Sequence, residues 1–86
     1  MDIKILDTAG HGPVYLQIRT QITESISAGN LRSGDSLPSP ASLSRDLNVD
    51  RGEVTRAYFE LEQEGKVSVK KSKNFLGETM TNYSVR

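Results

Sequence analysis

The chain has 86 residues, of which 35% are apolar and 26% are charged, and its eleven basic residues balance eleven acidic ones. This length suits one small domain and excludes a hydrolase or nucleotide-binding fold, since so short a chain buries only about 60–65% of its unfolded surface. The sequence has no cysteine and one histidine, His11, so we expect no disulfide, no metal site and no cofactor. No apolar run exceeds three residues, and we therefore expect a cytoplasmic protein without membrane contact.

The first third of the chain predicts a strand and a helix. Residues 2–6 alternate polar and apolar side chains, which predicts a short N-terminal strand, and a glycine-containing turn follows over residues 7–12. Pro13 suits the start of a helix, where its missing N–H is not needed. The helix is predicted over residues 14–28. Its apolar face consists of Tyr15, Ile18, Ile22 and Ile26.

Two further helices are predicted after an extended loop over residues 31–37. Ser39 is placed to cap a short helix that begins at Pro40 and ends near Asn48. Asp50 and Glu53 have the spacing of a capping box. They predict the start of a third helix, over residues 51–64, which ends at a glycine.

A basic hairpin is predicted after the third helix. Val67 and Val69 alternate with polar residues, as in a half-buried strand, and residues 70–74 form a polar turn with three lysines. The return strand is predicted to begin at Phe75-Leu76. Because residues 77–86 have no clear pattern, we expect a domain over residues 1–76 and a loosely ordered C-terminal tail.

This order of elements predicts an α+β winged helix-turn-helix, with three helices, an N-terminal strand and a C-terminal β-hairpin as the wing. The major groove of DNA admits one helix, whose first residues reach the base edges. The N-terminus of the preceding helix is suited to a phosphate. Residues 66–86 contain five basic residues and one acid, so the wing can present a basic face although the net charge is zero.

Four segments carry a family resemblance: PVYLQI (13–18), SAGNLRSGDSLPS (27–39), ASLSRDLNVDR (41–51) and VTRAYFELEQEGKV (54–67). Over about three quarters of the chain, they resemble the DNA-binding domain of the GntR family of bacterial transcription regulators. The resemblance implies a regulator that binds double-stranded DNA. The family usually adds a C-terminal effector-binding and dimerisation domain. The chain stops about ten residues after the predicted wing, and we therefore expect no small-molecule effector domain.

The resemblance also implies site residues. It places a guanine-reading arginine at Arg51, and the arginine fork suits the O6 and N7 atoms of guanine. Ser39 is expected to bind a phosphate, and the wing lysines to bind phosphates without sequence information. No nucleophile and base are paired in the sequence, so we expect neither catalytic residues nor an enzyme. The predicted DNA-binding residues are Ser39, Arg45, Arg51, Gly52, Glu53, Thr55, Arg56, Lys70, Lys71, Ser72 and Lys73.

The chain departs from the family pattern near Arg51. Ala41 and Thr55 stand where the family commonly has arginines, and Arg51 is flanked by Asp50 and Glu53. Three interpretations of these acids stay open. They cap the helix, Glu53 accepts a hydrogen bond from a cytosine amine, or the surface has changed to face a protein partner.

Two functions follow from these observations. The first is a small transcription regulator of a bacterium or a mobile element, which binds an inverted-repeat operator as a homodimer. The alternative is a winged-helix protein-interaction module, an adaptor or anti-repressor, that has lost most of its DNA affinity. The dependence of binding on salt distinguishes the two, because a protein with several phosphate contacts weakens steeply as salt rises.

Overall fold

The computed structural model describes residues 3–86, which fold into one layer of helices packed against a three-stranded antiparallel sheet. The helices are α1 (Thr8–His11), α2 (Val14–Ser27), α3 (Pro40–Leu47) and α4 (Arg51–Gln63), and the strands are β1 (Ser36–Leu37), β2 (Val67–Lys73) and β3 (Thr79–Val85). The core lies between α2, α3, α4 and the sheet. Its buried side chains are Ile3, Ile18, Ile22, Leu37, Leu43, Val54, Ala57, Tyr58, Leu61, Val67 and Val85.

The helix signals of the sequence are confirmed. Ile18 and Ile22 of α2 are fully buried, as their spacing predicts. The Ser39 hydroxyl caps α3 by accepting a hydrogen bond from the Ser42 N–H at 3.1 Å. The α3 helix ends at Leu47, and its C-cap residue Asn48 adopts the left-handed conformation with φ 56°. Asp50 caps α4 through the Gly52 N–H at 3.0 Å.

Tyr58 is the largest fully buried side chain of α4. Its hydroxyl donates a hydrogen bond to the Pro38 carbonyl at 2.8 Å, and its ring centroid lies 5.0 Å from that of Tyr83. Burial, with a smaller effect of Tyr83, raises the pKa of the Tyr58 phenol above its ordinary range. The neighbouring Phe59 points outward and is 58% exposed, so Tyr58 is the aromatic residue that α4 contributes to the core.

The prediction of an N-terminal strand is wrong for residues 3–6, and Asp2 lies outside the described residues. Residues 3–7 pair with no strand. Instead, the Gln21 side chain bonds both the N–H and the carbonyl of Lys4, at 3.0 and 2.7 Å. Gln17 bonds both groups of Leu6, at 2.7 and 2.9 Å. Because a glutamine amide has a donor and an acceptor, it satisfies an extended backbone as a neighbouring strand would.

The wing also differs from the prediction. β2 continues through Lys73, so the lysines lie on a strand and the turn is formed by residues 74–78. The expectation of a loosely ordered tail is wrong, because residues 79–85 form the central strand of the sheet, in the order β1-β3-β2. The pairing runs from Val67 opposite Val85 to Lys73 opposite Thr79. The boundary predicted after Leu76 therefore falls inside the wing.

We predict that Gln17→Ala destabilises the fold by about 1–3 kcal/mol, because it leaves the partly buried backbone hydrogen bonds of Leu6 and Gly12 without their partner. Gln17 is only 7% exposed, and its amide also donates to the Gly12 carbonyl at 3.0 Å. Gln21→Ala is the matched control, since its hydrogen bonds are exposed and water replaces them. Urea unfolding measures both free energies. Equal losses for the two variants would contradict the structural role of Gln17.

Candidate nucleic-acid interface

α3 and α4 form a helix-turn-helix whose turn is Asn48, Val49 and Asp50. The left-handed Asn48 reverses the chain, and the Asp50 cap starts α4 immediately afterwards. The first exposed side chain of α4 is Arg51. Within residues 3–86, Arg51 forms no ion pair, so its guanidinium is available to a ligand.

The outer face of α4 continues from Arg51 to Thr55 and Phe59, at the four-residue spacing that places side chains one above another. Thr55 and Phe59 form one wall of an open cleft of about 630 Å³. The opposite wall is the wing, with Lys71 opposite Thr81 on the paired strands. The structure thus places one wing lysine across from the outer face of α4.

Ser39 lies next to the same part of the sheet. It lines a shallow depression with Thr81 and Tyr83, and both of these residues also line the cleft beside α4. The Ser39 oxygen accepts the capping hydrogen bond, and its O–H remains able to donate. The N-terminus of α3, the outer face of α4 and the wing therefore meet around β3. Arg45 is exposed on the last turn of α3, at the opposite end of that helix from Ser39.

Arg56 does not share the freedom of Arg51. Its guanidinium carbon lies 3.7 Å from the centroid of the Tyr15 ring, and its Nε lies 3.2 Å from Glu60 Oε2. Glu60 also accepts a hydrogen bond from Arg19 of α2. This bond, aided by Arg56 and opposed by desolvation, holds the pKa of the Glu60 carboxyl below its ordinary value. Arg56 therefore takes part in the contact between α2 and α4.

Glu53 has a similar internal role. Its Oε2 accepts a hydrogen bond from the Tyr15 N–H at 2.8 Å, which satisfies a free donor in the first turn of α2. The prediction that these acids cap α4 is confirmed for Asp50, which accepts a hydrogen bond from the Gly52 N–H. It is wrong for Glu53, whose carboxylate bonds the neighbouring helix α2 instead of its own helix.

The wing carries lysines on both of its faces. Lys71 lines the cleft beside α4, and because side chains alternate along a strand, Lys73 lies on the same face and Lys70 on the other. All three are exposed, and within the described part of the chain they form no ion pair. Ser72 is exposed opposite Met80.

The prediction that the return strand begins at Phe75-Leu76 is wrong, because these two residues form the tip of the wing and β3 begins at Thr79. Both are exposed, at 95% and 67%. The sequence contains a signal for this turn, since Asn74 followed by Gly77 is typical of a turn, and Gly77 adopts φ 82°.

Residues 3–86 contain no cluster of acidic and histidine side chains suited to a metal ion. Among the helices of this range, none has the length and apolarity to span a membrane.

We predict that Glu53→Ala destabilises the fold by about 1–2 kcal/mol, because the α2 N-terminus loses a cap. The preference of this variant among DNA sequences should stay the same as that of the wild type. Gln63→Ala is the control on the same helix, because Gln63 is exposed and a surface substitution of this kind changes stability by less than about 0.5 kcal/mol. Urea unfolding and selection of bound duplexes measure the two properties. Normal stability with an altered base preference would show instead that Glu53 contacts DNA.

Comparisons with known proteins place these features in a family. Residues 14–76 match the bacterial regulatory proteins of the gntR family. The chain is 36% identical over 77 residues to the mannosyl-D-glycerate transport/metabolism system repressor MngR of Escherichia coli, covering 88% of this chain and 32% of MngR. It is 37% identical over 60 residues to the transcriptional repressor YtrA of Bacillus subtilis, covering 70% and 46%. The chain thus spans about a third and about half of the lengths of these two relatives.

A solved structure gives the same result. YtrA from Sulfolobus acidocaldarius, a GntR-family transcription factor, superimposes with a TM-score of 0.80 at 35% sequence identity, covering 99% of this chain and 81% of that one. The predicted α+β winged helix-turn-helix is therefore confirmed. On both sequence and structure, the chain belongs to the GntR family of bacterial regulatory proteins.

Proposed function

We propose that this chain acts in transcription regulation in the cytoplasm, as a repressor-type protein that binds double-stranded DNA sequence-specifically. α4 enters the major groove, and Arg51 contacts a base edge, with guanine as the partner that suits its fork. The protein binds as a homodimer to an inverted repeat, since two-fold symmetry doubles the few base contacts of one small domain. It has no catalytic role.

The observation that carries this proposal is the surroundings of Arg51. The sequence alone left open whether Asp50 and Glu53 turn this surface away from DNA. In the structure, both carboxylates accept hydrogen bonds from backbone N–H groups, and Arg51 is exposed between them without an ion pair among residues 3–86. The acids therefore have a structural role that leaves the arginine available.

The remaining contacts set the position of the protein on the DNA backbone. Ser39 and the N-terminus of α3 are suited to a phosphate, since the helix dipole and free N–H groups favour an anion. Thr55 lies one turn beyond Arg51 and faces the cleft that Lys71 lines. Lys70, Lys71 and Lys73 neutralise phosphates without reading sequence. We place Arg45 and Ser72 at the edge of this surface, and Gly52 beside the base-reading arginine.

Selection from a random duplex pool at about 100 mM salt tests base reading. We expect the wild-type protein to enrich an inverted repeat and Arg51→Ala to relax one position in each half-site. The loss at that position should be about 1–3 kcal/mol, as for one bidentate arginine–guanine contact. Arg32→Ala is the matched control, because Arg32 is an exposed arginine of the loop before β1.

The outcomes of this selection separate the two functions. Enrichment that Arg51→Ala leaves unchanged would keep DNA binding and overturn the role of Arg51. Negligible duplex binding even at low salt would support the protein-interaction module, and a partner that co-purifies with the chain would then be its ligand.

The salt dependence of binding tests the wing lysines. The logarithm of the association constant falls with the logarithm of salt concentration by about 0.9 per phosphate neutralised. We expect the triple variant Lys70→Gln, Lys71→Gln and Lys73→Gln to reduce this slope by about 2 to 3 at every duplex sequence. Lys4→Gln is the control. An unchanged slope would remove the wing from the DNA-binding surface.

A further inference from the structure

The wing ends in two exposed apolar side chains held by a rigid turn. The Asn74 side-chain oxygen accepts hydrogen bonds from the N–H groups of Leu76 and Glu78, at 2.9 and 3.0 Å. The Asn74 N–H donates to the Glu78 carbonyl at 3.0 Å and closes the turn. Phe75 is 95% exposed and Leu76 67% exposed. An apolar pair fixed in water at the end of a projection is typical of an interaction site.

The length of the wing matches the spacing of DNA grooves. Val67 is buried in the core, and β2 extends from it to Lys73, about 20 Å at 3.3 Å per residue, with Phe75 in the turn beyond. Adjacent major and minor grooves on one side of a duplex are separated by about half of the 34 Å helical repeat. With α4 in the major groove, the tip is therefore long enough to reach the neighbouring minor groove.

The charges along the wing favour entry into a groove. Lys70 lies on one face of the ribbon, and Lys71 and Lys73 lie on the other. A ribbon inside a groove has a phosphate backbone along each face, so basic residues on both faces suit that position. Glu78 is the one acid within residues 66–86, and it lies at the base of the turn.

We propose that Phe75 and Leu76 form an apolar wedge that enters the minor groove at a base step, partly unstacks it and bends the duplex. The proposal rests on the DNA binding proposed above. Apolar side chains inserted in this way kink DNA by about 20–90°. Pyrimidine–purine steps resist unstacking least, so the wedge adds a preference for such a step at a position that α4 does not contact. Burial of the two side chains offsets the cost of unstacking.

The test uses a duplex recovered by the selection, extended at both ends and labelled there with a donor and an acceptor dye. A 2-aminopurine base beside the expected step reports unstacking by its fluorescence. Wild-type protein should shorten the end-to-end distance and raise this fluorescence. The double variant Phe75→Ser and Leu76→Ser should bind about tenfold more weakly and leave the duplex straight, with an unchanged salt slope.

Two controls separate the wedge from other roles. Phe75→Leu keeps an apolar tip and should keep the bend, whereas Glu78→Gln removes a charge that phosphates repel and should strengthen binding without changing the bend. Arg51→Ala should relax base preference while each bound complex stays bent. Because Phe75 and Leu76 are exposed, the double serine variant should unfold in urea at the same midpoint as the wild type.

Four results would overturn the wedge. A duplex that stays straight with wild-type protein, or stays bent with the double serine variant, would leave the tip without a role in deformation. A shift of the free protein from dimer to monomer in the double serine variant, seen by sedimentation, would assign the tip to a second copy of this chain. Failure of wild-type protein to bind any duplex would overturn the wedge together with the proposed function, whereas a straight duplex with intact selectivity would overturn the wedge alone.

Discussion

The hydrogen bond from the Tyr15 N–H to Glu53 joins the N-terminal turns of α2 and α4, and it constrains how α4, the helix that we propose for base reading, lies against α2. Tyr15 also carries the Arg56 guanidinium on its ring, and Glu60 bonds both Arg56 and Arg19 one turn further along. A charged side chain bonded to a backbone donor holds its position more firmly than apolar packing alone, because the bond has a preferred direction. Arg51 is exposed at the N-terminal end of α4, next to this contact between the two helices.

Hydrogen bonds and ion pairs within the molecule also explain how a chain of zero net charge presents a basic surface. Several of its acids are used inside the molecule: Glu53 caps α2, Glu60 bonds two arginines, and Glu64 pairs with Lys66 at 2.9 Å. The wing lysines have no such partners within residues 3–86. Net charge therefore understates the field at the surface, since acids and bases with different roles are counted alike.

The helices could be predicted because their signals are local in the sequence. The features that could not be predicted depend on contacts with residues far away in the sequence. The caps Ser39 and Asp50 bond groups two or three residues away, so their residue types and spacing suffice. Glu53 finds its partner 38 residues away, and residues 79–85 become a strand only by pairing with β1 and β2. For the same reason, Arg51 was placed correctly at the start of α4, whereas the internal roles of Glu53 and Arg56 were not visible in the sequence. The N-terminal segment has the alternation of a strand, but two glutamines of α2 satisfy its backbone.

The spacing between α4 and the wing depends on one further side chain, Tyr58. It belongs to α4, its ring packs on Tyr83 of β3, and its hydroxyl bonds the carbonyl of Pro38, next to Ser39 at the start of α3. One buried residue of α4 thus contacts β3 of the wing and the segment that leads into α3. In the proposed complex, contacts to a phosphate, a base and a groove must all fit one duplex at the same time. If flexible segments connected the elements that make these contacts, ordering those segments on binding would reduce the binding free energy. Because Tyr58 already connects α4, β3 and the start of α3 in the folded protein, this ordering precedes DNA binding, as the proposed recognition of bases by so small a surface requires.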